Sequence, residues 1–334
     1  MTTSLRTPDG YRTRGRSVPA TSARDPRPVH DPPLETVYRP RHPVDLARTV
    51  LIHRRGTGDP THTVAGPVIW RASRTPEGIA TLALRPHAEG VRAAAWGPGS
   101  AWALYQLPAL CGAHDDAADF DATRHPLVAR AHRRNPGLRL SRSDLVFDAL
   151  AGAIMEQKVT GMQAFAAWRR LVTWCGERAP GPTPRPMFAP PSIDGWRGIP
   201  SWSWHRAGLE PPQSKTIVAA ARQGEALVAA IERAPDGEAV DRVLVSRPGI
   251  GPWTSAETRI HALGDPDAVS VGDFHLAHEV GYALTGRRVD DDGMVRLLAP
   301  WAGQRQRVVR LIGLSGVREP RRGPRLHPED HRDR

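Results

Sequence analysis

Hydrophobic and polar positions alternate in two different rhythms along this chain of 334 residues. From Val44 the rhythm is short. The runs 48–55 (RTVLIHRR) and 66–73 (GPVIWRAS) are rich in β-branched and aromatic residues, and 79–86 (IATLALRP) alternates with a period near two, so each predicts a strand. Residues 88–112 read as helical segments interrupted at Gly97-Pro98-Gly99, because glycine and proline punctuate a helix. Residues 41–118 are thus expected to form a small α+β domain.

Beyond Phe120 the repeat lengthens to helical spacing, and residues 119–317 are expected to form a helical domain. HPLVARAHRR is a short helix stopped at Asn135-Pro136-Gly137. A helix over 144–156 places Val146, Leu150, Ala153 and Ile154 on one face. The next opens at Thr160, where Thr160 and Gln163 form a capping-box signature, and runs to about Cys175. A proline-rich loop spans 179–191, and further helices are predicted near 211–222, 224–234, 238–246, 253–263, 273–285, 291–298 and 303–314. No period of 20–50 residues repeats, so the helices do not form a solenoid.

Charge changes this picture at the ends. The chain carries +11, of which residues 1–40 hold +3 and residues 318–334 hold +2, leaving a moderate +6 between them. The first 40 residues are rich in Arg and Pro with little to bury and read as a disordered leader; residues 318–334 read as a charged tail. A polyanionic partner is favoured. Two cysteines, Cys111 and Cys175, exclude a disulfide scaffold, an all-cysteine zinc site and a four-cysteine cluster. No run of 18 apolar residues and no apolar signal region occur, so the expectation is a soluble cytoplasmic protein with no membrane partner. His275, His278 and Glu279 do not match a zinc-protease spacing, and His87-Ala88-Glu89 lacks the cysteine pair of a deaminase, so neither a metal nor another cofactor is expected.

The chemistry concentrates in 238–285, which contains SRPGIGPWTSAETRIHALG and then DPDAVSVGDFHLAHEVGYAL. Two helical runs meet at Pro248-Gly249-Ile250-Gly251. So tight a connection uses glycines for positive φ and close approach, and Pro252 suits the first turn of the second helix. Backbone N–H groups at this turn make a preorganised anion site that fits a DNA phosphate without reading bases.

These residues resemble the helix-hairpin-helix, Gly/Pro–Asp superfamily of DNA base-excision glycosylases, most closely the bacterial 3-methyladenine DNA glycosylase II type. The likeness runs from about Leu145 to Leu314, anchored on AIMEQKVTG and PGIGPWT…VGDFHL. It implies a mainly α fold with an N-terminal α+β domain and two helical lobes around a cleft. The implied partner is double-stranded DNA containing a damaged base, gripped by a monomer and flipped into that cleft. Gly249, Ile250, Gly251 and Thr254 then take the DNA backbone, and Gln157 and Lys158 sit at the turn that plugs the emptied stack. The bland alternative for that turn is an exposed polar loop.

Asp273, 22 residues after Gly251, is the catalytic candidate. A carboxylate at a helix start is favoured as the anion, the form that stabilises an oxocarbenium-like sugar and orients water. Its alternative is a plain N-cap. Trp253 either stacks on the extruded base or seals two helices. It also stands where bifunctional members carry a lysine, which implies hydrolysis without strand cleavage. Arg247 and Glu257 depart from the family, the latter where relatives carry a pocket aromatic. Two functions follow: a monofunctional glycosylase of damaged, alkylated bases, or a non-catalytic DNA-binding module that kept the hairpin. The presence of Asp273 favours the enzyme.

Overall fold

The computed structural model describes residues 31–319. The readings of residues 1–30 as leader and of 320–334 as tail lie outside the described residues.

Five antiparallel strands come first: β1 (Leu34–Tyr38), β2 (His62–Ala65), β3 (Val68–Thr75), β4 (Gly78–His87) and β5 (Gly90–Trp96), in the order β1-β5-β4-β3-β2. Helix α1 (Leu46–Val50) precedes β2, and α2 (Ser100–Leu110) follows β5. One sheet face buries Leu82, Leu84, Val91, Ala93 and Ala95 in a shared core. Ala103, Leu107 and Leu110 of α2 complete that core, together with Leu46 and Val50 of α1.

Three expectations change here. Residues 48–55 are not a strand: Asp45 caps α1 by accepting from the Arg48 N–H, and a single 3₁₀ turn over Leu51–His53 continues it. Leu46, Thr49 and Val50 are its buried positions, a helical spacing inside a β-branched run. Residues 90–96 are strand rather than helix. Val91, Ala93 and Ala95 are buried in alternation, so pairing with β1 and β4 overrides the helical preference of alanine. The strand β1 lies inside the segment assigned to the leader, with Leu34 opposite Ala95 and Tyr38 opposite Val91.

The helical part follows as α3 (Pro126–Arg134), α4 (Val146–Met155), α5 (Gly161–Cys175), the two-residue strands β6 (Glu177–Arg178) and β7 (Phe188–Ala189), α6 (Ile193–Gly198), α7 (Ser201–Ala207), α8 (Pro211–Glu232), α9 (Gly237–Val245), α10 (Pro252–Leu263), α11 (Leu276–Thr285), α12 (Asp291–Leu298) and α13 (Arg305–Leu314). The helices expected over 211–222 and 224–234 are the two halves of α8, which breaks at Gly224 with φ 40° and ψ −118°. Helices α6 and α7 occupy a stretch without a clean period. Trp196 and Trp204 are buried there, whereas Trp202 is exposed.

These helices build two apolar cores. One gathers Leu150, Ile154, Leu171, Ile217, Leu244 and Ile250 from α4, α5 and α8 to the α9–α10 connection. The other gathers Val128, Val280, Met294, Leu298, Val308 and Leu311 from α3 and α11–α13. Each such side chain contributes about 1.5–3 kcal/mol on burial. The chain crosses from the first core to the second between α10 and α11. That crossing is pinned by Asp267 against Arg305 and by Ala268 against Ala256 and Ile260. Among the described residues no helix is long and apolar enough to cross a membrane.

The segment leading into β2 meets α5 through Asp59, which is fully buried. Its carboxylate accepts from the N–H groups of Arg55 and Thr61, from the Thr61 hydroxyl and from the Trp168 indole on α5. Burial pushes this carboxyl up, but the hydrogen bond and charge of His62 and the two backbone donors outweigh it and hold it at about 2.

Candidate nucleic-acid interface and active site

The α9–α10 connection is a tight hairpin because its two glycines do different work. Gly249 has φ 83°, and a Cβ there would run into the Thr216 side chain on α8. Gly251 is extended, with φ −99° and ψ −179°, and a Cβ there would meet nothing within 4 Å. Gly249 is therefore demanded by the fold, whereas Gly251 keeps an outer face open. Among the described residues neither glycine N–H finds a backbone acceptor. Arg247, beside this turn, lines a groove with Arg233 and with Arg242, which pairs with Glu238 at 2.8 Å.

Two residues assigned to the DNA backbone have their side chains turned inward. Ile250 is 5% exposed, packs in the first helical core and donates its N–H to the Arg247 carbonyl at 3.1 Å. The Thr254 side chain is buried, and its hydroxyl accepts from the Gln157 amide at 2.8 Å. Both side chains therefore help to build the hairpin. Burial of the apolar side chain and local satisfaction of the hydroxyl are the reasons.

The turn between α4 and α5 resolves into two roles. Gln157 folds back, donating to the Gly249 carbonyl at 2.9 Å as well as to Thr254, while its own backbone carbonyl accepts from Gln213 at 2.8 Å. It is a strut that ties this turn to the hairpin. Lys158 stands exposed at the apex with φ 54°, a left-handed conformation that a side chain adopts at a cost. The capping box beyond it is formed: the Thr160 N–H donates to Gln163 Oε1 at 3.0 Å, and the Gln163 N–H donates to Thr160 Oγ1 at 3.3 Å.

Asp273 lies where the crossing segment enters α11, two residues before its cap at His275. Oδ1 accepts from the N–H groups of His275 at 2.8 Å and Leu276 at 2.9 Å, so the carboxylate does cap the helix start. Oδ2 accepts from the Trp253 indole N–H at 3.1 Å. One carboxylate thus joins α10 of the first core to α11 of the second, and its three N–H donors fix its orientation. Trp253 is half-buried, and its ring neither occupies the first core nor lies fully in solvent.

On the same stripe of α10, Glu257 and His261 follow Trp253 at intervals of four residues. Glu257 accepts from the hydroxyl of Ser270, three residues before Asp273, and its other oxygen lies 3.5 Å from His261 Nε2. Opposite them Glu156 ends α4, 3.5 Å from Arg55 Nε. Burial raises the Glu156 carboxyl, Arg55 and His261 lower it, and Glu257 and Asp273 raise it again, so that it sits above its ordinary value. Arg55 lies over the Trp168 ring at 4.6 Å and fills space left by Gly152, where any Cβ would overlap the guanidinium. Sequence reasoning missed Arg55, Glu156 and His261. The glycine inside α4 was the only local trace of Arg55. Among the described residues no group of three His, Cys, Asp or Glu side chains is arranged to hold a metal.

No family model matches the chain, and no curated protein sequence matches it significantly. Solved structures do. The 3-methyladenine DNA glycosylase of Archaeoglobus fulgidus superposes with a TM-score of 0.72 at 16% identity, over 84% of this chain and 98% of that one. The 8-oxoguanine glycosylase/lyase of Clostridium acetobutylicum superposes in its apo form with a TM-score of 0.66 at 11% identity, over 86% and 99%. Bound to double-stranded DNA with cytosine opposite 8-oxoguanine, the same enzyme gives 0.65 at 11% identity, over 85% and 97%. The chain therefore has the fold of the helix-hairpin-helix DNA glycosylases.

Proposed function

We propose that this protein is a monofunctional DNA glycosylase that hydrolyses the N-glycosidic bond of alkylated, 3-methyladenine-like bases in double-stranded DNA. The observation that carries the reading is the carboxylate of Asp273, fixed between the indole of Trp253, two residues beyond Gly251, and the start of α11. In the reaction the bond between sugar C1′ and the base nitrogen breaks, and its electron pair leaves with the base. Positive charge grows on the sugar, and a fixed anion stabilises it. Water adds to C1′ and releases a proton, which Asp273 accepts or passes to solvent. Alkylation leaves the base cationic and already a good leaving group, and the Trp253 ring offers it a face for a cation–π contact.

The hairpin holds the DNA backbone through the N–H groups at Gly249 and Gly251, and Lys158 enters the space the extruded nucleotide leaves. Trp253 occupies the position of the Schiff-base lysine of bifunctional relatives, and an indole nitrogen is not nucleophilic. The product is therefore an intact strand with an abasic site.

Release of free 3-methyladenine from alkylated duplex DNA tests the reaction; specific binding without release would make the chain a binding module instead. Borohydride trapping during turnover tests the nucleophile. No covalent adduct is expected, and an adduct mapping to Lys158 or the N-terminal amine would overturn hydrolysis by water.

A further inference from the structure

Glu257 has no part in the chemistry just described, yet it shares the α10 stripe with Trp253 and is held to the segment that carries Asp273. Its side chain is neither sealed in nor free: 22% of its surface remains exposed, against 26% for Glu156 opposite. Ser270 fixes one oxygen, and the other faces His261 beyond hydrogen-bond length. A base drawn toward Asp273 past the Trp253 ring would approach the stripe of α10 on which this partly exposed carboxylate sits.

Carboxylates accept hydrogen bonds and donate none when ionised. Guanine presents two adjacent donors, N1–H and N2–H₂, to one edge. Adenine presents one amino group beside the bare acceptor N1, which a carboxylate repels. We propose that Glu257 is a specificity-determining residue that reads the edge of the extruded base, favouring guanine-derived alkylated purines over adenine-derived ones. This rests on the glycosylase reading above and adds a preference within its substrate class.

The variant E257Q discriminates this from a merely structural part. The amide keeps an oxygen for the Ser270 hydroxyl and replaces the second acceptor with a donor. The measured quantity is the ratio of 7-methylguanine to 3-methyladenine release, in single turnover, for the unmodified protein and for E257Q. We expect that ratio to fall at least about tenfold, the size of one good paired contact. An unchanged ratio overturns the proposal, including the case in which both rates fall together because Glu257 only braces the Asp273 segment.

A second measurement needs neither the variant nor chemistry. The unmodified protein should bind a duplex carrying the neutral, uncleavable 7-deaza-7-methylguanine at least about tenfold tighter than one carrying the equally neutral 3-deaza-3-methyladenine. Equal affinity, or the opposite order, overturns the proposal. Base release with equal affinities would leave the glycosylase reading standing and remove only Glu257. Selective binding with no release would do the reverse.

Discussion

Replacing Asp273 by Asn isolates charge from shape. Asparagine keeps an oxygen for the N–H groups of His275 and Leu276, so the start of α11 remains capped. Its amide nitrogen then faces the Trp253 indole N–H, and two donors in opposition cost about 1 kcal/mol locally. The larger loss is electrostatic. A unit charge on the sugar about 4 Å from the carboxylate, at an effective dielectric of about 20, is stabilised by about 4 kcal/mol. At about 1.36 kcal/mol per tenfold, the hydrolytic step should slow by about a thousandfold. Single-turnover base release from alkylated duplex measures it, with affinity for uncleavable lesion DNA measured alongside. Binding should change by less than about tenfold, because the proposed phosphate contacts lie at the hairpin. A rate within about tenfold of the unmodified protein, in a variant with the same thermal transition, would refute the assignment.

Three further outcomes test other parts of the structure. Gly251→Val places its side chain in open space, so the fold should survive while affinity for damaged and undamaged duplex falls together at least about tenfold in a binding titration; normal affinity would remove the hairpin face from the interface. Lys158→Gly relieves a left-handed residue, so stability in denaturant should hold or rise by about 0.5–1 kcal/mol, while base release slows because nothing fills the emptied stack. The Asp59 carboxyl sits at about 2, below its unfolded value, so its contribution is present in full above the ordinary carboxylate range and is lost as pH falls through about 2. That contribution is about 2 kcal/mol, and Asp59→Asn should flatten the acid limb of a stability-against-pH curve while lowering stability at neutral pH.

Local signals were enough where one short segment determines its own conformation. The proline and glycines of 248–252 dictated the hairpin, and Thr160 and Gln163 dictated the start of α5, whereas Asp273 stood out as a catalytic candidate only through the family resemblance that the hairpin carries. Tertiary structure decided what depends on distant partners. Alanine-rich 90–96 became strand because β1 and β4 were there to pair with it, and 48–53 became helical because its buried positions face the underside of the sheet. Gln157 and Lys158, adjacent in sequence, took opposite roles only because Gly249 and Thr254 lie within reach of one amide. Arg55 and Glu156 meet from distant parts of the chain, in space opened by Gly152. Periodicity and capping are properties of neighbours along the chain, whereas a hydrogen bond between α10 and the start of α11 exists only once two cores have packed and set the distance between them.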